Sequence, residues 1–261
     1  MAKQRLDVLL VERGLVESRE QARRLILAGA VTVDGQVADK AGMLVPAEVA
    51  VTVQATLPYA SRGGLKLAHA LHVLGLDVAG LVALDVGAST GGFTDCLLQR
   101  GAARVYAVDV GHGELHPRLR QDPRVIVLEN TNIRYLPSLP EMAAIATVDV
   151  SFISLELVLP VVWRWTTPTA QVVALVKPQF EVGRGQVRRD GVVRDPAVHR
   201  AVLERISAWA TAQGWRVGGL TASPLRGPAG NVEFLLYLAK AGEGTDVAAA
   251  ITACLAEAAR L

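Results

Sequence analysis

Apolar residues change their spacing along this chain, and the change marks two units. Up to residue 54 they are sparse and local. Leu6, Leu9 and Leu10, with Arg13, outline a short amphipathic helix that Gly14 stops. Ser18-Arg19-Glu20-Gln21 fits a capping box, in which the Ser hydroxyl and the Gln side chain satisfy free backbone N–H groups. Ala22, Leu25 and Ile26 form the apolar face of the helix it opens, and Gly29 ends that helix. Val31, Val33 and Val37 flank Asp34-Gly35, a tight-hairpin signal, and a strand near Val49 to Val53 closes the unit.

From Arg62 onward, helical patterns alternate with short apolar runs. Strands are expected near 81–86, 103–109, 124–128, 145–150 and 170–177, and helices near 64–74, 92–100, 154–164 and 196–213. Two more strands follow near 215–221 and 231–238. Alternation of this kind predicts an α/β, Rossmann-like domain: a mostly parallel seven-stranded sheet covered on both faces. The expected boundaries are 1–54 for a small α+β domain, 55–61 for a linker, 62–240 for the large domain and 241–261 for a tail. The Ala-rich stretch of that tail, about 245–260, reads as a plain surface helix.

Composition narrows the class. The chain has 261 residues, with 27 Lys and Arg against 25 Asp and Glu, a formal net charge of +2. A nucleic-acid partner would therefore be held by local basic patches, not by bulk charge. Cys96 and Cys254 are far apart and outside any C-x-x-C pair, which argues against a zinc site or disulfide scaffold and for a reducing cytosol. No metal site is expected. The N-terminus lacks a signal-peptide core. The most apolar stretch, roughly Met142 to Trp163, is broken by Asp149, Glu156 and Pro160, so no membrane span is expected.

Candidate chemistry collects at strand ends. The first large-domain strand ends in Asp85-Val-Gly87-Ala88-Ser89-Thr-Gly91-Gly92-Phe93, a loop whose glycines let backbone approach a ligand. Asp109 ends the next strand, placed to hydrogen-bond a ribose hydroxyl. Ser89 stands where a dinucleotide fingerprint wants its second Gly, so the loop suits S-adenosylmethionine better than NAD. Asp149 and Lys177 end the fourth and fifth strands and should meet at the same edge. Arg184, Arg188, Arg189, Arg194, His199 and Arg200 follow Lys177 and are expected to form an RNA-facing loop. Taken alone, Lys66 reads as a solvated helix residue and Glu233 as an edge-strand charge.

Two resemblances sharpen this. Arg5-Leu-Asp, Gly14-Leu, Ser18-Arg19, Ala22, Gly29 and Val31-x-Val33-x-Gly35 resemble the RNA-binding domain named after ribosomal protein S-four, over residues 4–53. That resemblance implies that Arg5, Arg19, Arg23, Arg24 and Lys40 sit on RNA phosphates. Five further motifs cover the rest of the chain to about residue 240. They are Arg62-Gly-Gly-Leu-Lys66-Leu, Asp85 to Thr94, Asp149-Val-Ser-Phe-Ile-Ser-Leu155, Leu175-Val-Lys-Pro-Gln-Phe-Glu-Val-Gly183, and Ser223-Pro-x-x-Gly227-Pro-x-Gly-Asn231-Val-Glu233. They resemble the TlyA family, rRNA 2′-O-methyltransferases often labelled haemolysin A and related to FtsJ-type enzymes.

The resemblance implies a class I methyltransferase, S-adenosylmethionine as cofactor, ribosomal RNA or ribosomal subunits as partner, cytidine ribose as target and a cytoplasmic setting. It also implies a catalytic tetrad at Lys66, Asp149, Lys177 and Glu233. Lys177 could act as a neutral base or as a cation that steers the hydroxyl. The linker departs from the family pattern: Leu57-Pro-Tyr-Ala60 stands where some members carry Arg-x-Trp-Val. The competing readings are a membrane-active haemolysin, an RNA-binding protein without catalysis, a pseudouridine synthase and a dehydrogenase.

Overall fold

The computed structural model describes residues 3–54, 57–183 and 190–261. The small domain runs β1 (Lys3–Arg5), α1 (Leu6–Glu12), α2 (Arg19–Leu27), β2 (Val31–Val33), β3 (Gln36–Val37), β4 (Leu44–Pro46) and β5 (Val51–Val53). Its core is Leu6, Leu10, Ala22, Ile26, Val31 and Val45, the apolar faces of both helices closed by the sheet. Ser18 caps α2 by accepting from Gln21 N–H at 3.2 Å. The Gln21 side chain reaches back one residue further than a capping box requires, to the Glu17 N–H at 2.8 Å. Asp34 and Gly35 both have left-handed φ, +48° and +78°, as a two-residue hairpin turn needs. β1 and β4 pair antiparallel. Sequence periodicity misses them because each has only three residues and buries little.

The large domain continues with α3 (Gly63–Val73), β6 (Val82–Val86), α4 (Gly92–Gln99), β7 (Arg104–Val108), α5 (Pro117–Arg120), β8 (Val125–Leu128), a 3₁₀ turn (Ile133–Tyr135) and β9 (Ala143–Val148). Then come α6 (Leu155–Arg164), β10 (Thr166–Val176), α7 (Pro178–Glu181), α8 (Pro196–Ala212), β11 (Arg216–Ala222), β12 (Phe234–Ala239) and α9 (Val247–Ala258). The sheet order is β11-β12-β10-β9-β6-β7-β8, parallel except for β12, which runs against both neighbours. Alternate residues of each strand feed separate apolar layers, as with Ile145 on one face and Ala146 and Val148 on the other. Burial on both faces explains why these strands read as continuous apolar runs.

The tail helix differs from expectation. Ile251 and Cys254 of α9 are fully buried, and Glu257 accepts from the Thr221 hydroxyl at 2.8 Å and the Ala222 N–H at 3.0 Å on β11. α9 is thus packed into the large domain. Its Ala-rich composition hides a narrow contact stripe at Ile251, Cys254 and Ala258. A backbone bond joins the two domains: Arg62 N–H donates to the Ala28 carbonyl at 3.0 Å.

Candidate active site

The sheet's order reverses at β6. The chain runs outward to β7 and β8 on one side and to β9 and β10 on the other, so the loops after β6 and β9 face each other. They touch at Gly87, whose φ is +86° and where a Cβ would run into the Asp149 carbonyl oxygen. Beside this contact opens a cleft of about 720 Å³, lined among others by Gly87, Ser89, Asp109, Val110, Asn132 and Asp149. Asp109 accepts from the N–H groups of Ser89 at 2.8 Å and Gly111 at 2.7 Å. These bonds fix the carboxylate while leaving each oxygen a further lone pair.

Other loop residues lie elsewhere. Asp85 lines neither hollow: it is fully buried beneath the loop and accepts from Thr94 at 2.7 Å and Thr147 at 2.8 Å. Burial pushes its carboxyl up to about 6, against the pull of those two hydroxyls. Gly91 packs against Leu115 and Leu119. Ala88, Gly92 and Phe93 line a second hollow of about 220 Å³, together with Lys66, Lys177 and Glu233. Asp149 and Ser89 border both hollows.

Four charged side chains converge in the second hollow. Lys66 from α3 forms an ion pair with Glu233, which precedes β12. The solvated-helix and edge-charge readings of these two residues fail: they are 9% and 1% exposed. No local pattern marks them, because their partner lies 167 positions away. Lys177 Nζ sits 2.6 Å from Asp149 Oδ1 and donates to Ser151 Oγ at 3.0 Å. The Lys–Asp pair lies off hydrogen-bond angles, so Asp149 Oδ1, though shielded from water, receives no directed donor among the described residues. Burial opposes charge on both partners. The facing Lys177 and then Lys66 overcome it and hold the Asp149 carboxyl below its usual range. Asp149 and Glu233 likewise overcome it at Lys177, whose pKa lies above the ordinary lysine value. The pair is ionised.

Two neighbours escaped sequence reasoning. Phe152 is 90% exposed, with φ +63°, a conformation that costs an aromatic residue energy. Its ring lies 4.8 Å from that of Phe180. Glu181 is buried and accepts from Ser154 Oγ at 2.7 Å, Leu155 N–H at 2.8 Å and Arg205 at 3.1 Å. It ties the Asp149 loop to α7, directly after Lys177.

The small domain's cations divide. Asp7 is buried and accepts two bonds from Arg5, both 2.9 Å, and one from Arg19 at 3.0 Å. The Arg5 bonds, with those of Arg19, hold its carboxyl at about 2. Arg5, Arg19, Arg23 and Lys40 line one open groove of about 650 Å³. Arg24 does not join them: it pairs with Glu20 at 2.8 Å and lines a cleft between the domains with His116 and Arg118. Arg184, Arg188 and Arg189 lie outside the described residues. His199 is not RNA-facing. It is buried on α8, with Nε2 3.0 Å from the Val193 carbonyl and its ring against Phe234.

A sheet of this order, with a nucleoside-sized cleft opening beside a Lys–Asp–Lys–Glu cluster, defines a methyltransferase, here joined to an RNA-binding module. The FtsJ-like methyltransferase family matches residues 59–240, and the S4 domain matches residues 4–51. The 16S/23S rRNA (cytidine-2′-O)-methyltransferase TlyA of Mycobacterium tuberculosis is 48% identical over 240 residues, covering 90% of this chain and 89% of that protein. Hemolysin A of Brachyspira hyodysenteriae is 38% identical over 237 residues, covering 89% of this chain and 98% of that one. A hemolysin-named solved structure from Streptococcus thermophilus superposes with a TM-score of 0.78 at 45% identity, covering 100% of this chain and 97% of that one. The chain belongs to the TlyA family.

Proposed function

We propose that this chain methylates the 2′-hydroxyl of cytidine in ribosomal RNA, in the cytoplasm, using S-adenosylmethionine held in the larger cleft. The observation that carries the reading is the shared border. Asp149 lines both the nucleoside-sized cleft and the hollow containing Lys66, Lys177 and Glu233. A donor in one and an acceptor in the other would meet at Asp149 and Lys177.

The residues fit that cofactor. Asp109 can accept ribose hydroxyls, and Val110, Ile133 and Leu157 offer apolar walls. When bound, S-adenosylmethionine supplies an already activated methyl group. The protein's task is then alignment and charge stabilisation. Lys177 is a cation in this pocket. It donates to the target hydroxyl and stabilises negative charge developing there. The hydroxyl proton would leave late, to solvent water at the open mouth of the hollow, once the oxygen has become acidic, so no strong base is needed. Asp149 fixes Lys177, and the Lys66–Glu233 pair walls the hollow. Phe152 offers an exposed face on which an unstacked base can lie. Arg5, Arg19, Arg23 and Lys40 supply phosphate contacts that position the RNA.

Membrane lysis draws no support from the fold. No helix among the described residues is long and apolar enough to cross a membrane. The test is tritium transfer from labelled S-adenosylmethionine to isolated ribosomal subunits, followed by digestion to nucleosides. Label in 2′-O-methylcytidine, lost on Asp149→Ala, is expected. Label in a base-methylated nucleoside, or none, overturns the reading.

A further inference from the structure

The catalytic hollow holds more positive charge than the tetrad neutralises. Among the described residues its acidic lining is Asp149 and Glu233, and each already faces a lysine. Arg62 and Arg226 line the same hollow. Arg226 is exposed and donates to the Gly230 carbonyl at 3.1 Å. The Arg62 side chain is half-buried and has no hydrogen-bond or ion-pair partner among the described residues. A partly desolvated guanidinium with all five donors unused is costly in the free protein and suited to an arriving anion.

Arg62 also touches the small domain. Its N–H donates to the Ala28 carbonyl at 3.0 Å, at the end of α2. Its stem lies across Gly29, where φ is +73° and a Cβ would stand 2.9 Å from Arg62 Cδ and 3.3 Å from Cγ. Any other residue there would strain the backbone and push the stem aside. The small domain thus sets where this guanidinium points. Leu27, the last residue of α2, lines both the arginine groove and the catalytic hollow, so the two are neighbours.

We propose that Arg62 receives the phosphate on the 3′ oxygen of the target ribose, and that the small domain aims it through the contact at Gly29. This rests on the tetrad reading. The 2′-hydroxyl and the 3′-phosphate leave adjacent ring carbons. Orienting the hydroxyl on Lys177 therefore brings that phosphate to the wall of the same hollow, where a planar guanidinium can hold two of its oxygens. RNA seated on the small domain would then be held in register with the reacting oxygen by one residue that touches both.

The test uses the full chain and ribosomal subunits, with methylation followed over RNA concentration and salt. Arg62→Met keeps the stem over Gly29 and removes the charge. Its KM for RNA should rise about tenfold and its log–log salt slope should fall by about 1, with kcat nearly kept. Gly29→Ala should raise KM in the parent chain but add little to Arg62→Met, because both act on one contact. Unchanged KM and salt slope in Arg62→Met overturn the proposal, as does full additivity of the two substitutions. Loss of S-adenosylmethionine affinity in Arg62→Met would give the guanidinium to the cofactor's carboxylate and also overturn it. Failure of the tetrad reading shows separately, as activity surviving Lys177→Ala.

Discussion

The two domains of this protein use positive charge in opposite ways. In the small domain one buried carboxylate, Asp7, serves two arginines, Arg5 and Arg19, whose side chains stay 48% and 60% exposed. Their guanidinium groups stay at the surface, where salt screens them and where phosphate can displace counterions. In the catalytic hollow the tetrad pairs one to one, and three of its members are almost withdrawn from water: Lys66, Lys177 and Glu233 have side-chain exposures of 11%, 12% and 2%. Within the tetrad, charge is fixed in direction and not in excess. The first arrangement makes affinity and the second makes geometry. Arg62 stands between them in the chain and shares a property of each.

The largest effect should come from breaking the geometric side. Lys177→Ala should lower methyl transfer by about a thousandfold or more while folding, S-adenosylmethionine binding and RNA binding persist, because the interaction is needed chiefly in the transition state. Lys177→Arg should keep a measurable part of the activity, since a guanidinium stays charged and can still orient a hydroxyl. The pH profile separates base from cation. Burial lowers the Lys177 pKa, but Asp149 and Glu233 outweigh it and the net shift is upward. The ammonium therefore persists through neutrality, and the single-turnover rate of the parent should be flat from about pH 7 to about pH 9. A rate rising in proportion to hydroxide over that range would restore the neutral-base role and break the contrast.

A smaller effect is expected at a carboxylate that faces no cation. Asp85 has hydroxyl partners but, among the described residues, no cation, and burial lifts its pKa to about 6. The folded state thus favours its protonated form. Below about pH 4 the folded and unfolded chains both carry the proton and there is no cost. As pH rises the unfolded chain ionises first, so stability falls, and above about pH 6 the full cost of roughly 2–3 kcal/mol is in place. Asp85→Asn should therefore gain about 1–2 kcal/mol in urea unfolding near pH 8. Part of the relief is lost because one threonine hydroxyl must turn to accept from the amide. The gain should fade near pH 4. An equal effect at both pH values would show that ionisation is not the cause.

What the sequence made legible follows the same division. The seven strands of the core, with α3, α4, α6 and α8, were readable because two-sided burial writes apolar runs, as at Val172–Val176. Asp109, Asp149 and Lys177 were readable because they end such runs. Lys66 and Glu233 were not, since nothing local tells a buried ion pair from two surface charges; only resemblance singled them out. Glu181 lay inside a quoted motif, yet its role depends on Arg205 from another helix. Phe152 carries no signal, because its strain is a backbone angle and not a residue type. The arginines of α2 misled by proximity in sequence: Arg23 and Arg24 are neighbours in the chain, but successive positions on a helix turn to different faces.

The smallest effect separates the two faces of α2. Arg19 and Arg23 line the groove with Arg5 and Lys40, whereas Arg24 is paired with Glu20 and turned toward His116 and Arg118. If affinity belongs to the groove, replacing Arg19 and Arg23 together by Ala should flatten the log–log salt dependence of rRNA binding by up to about 2. Arg24→Ala alone should leave that slope unchanged. Filter binding of ribosomal subunits at several salt concentrations reads both. Because Asp7 holds Arg19 and not Arg23, Arg19→Ala should cost more than its single phosphate contact: Arg5 loses a neighbour that helps fix the shared carboxylate. A slope that falls equally for Arg23→Ala and Arg24→Ala would mean that RNA wraps the helix and enters the cleft between the domains. The RNA-contacting surface of the small domain would then extend to the face that touches the methyltransferase domain.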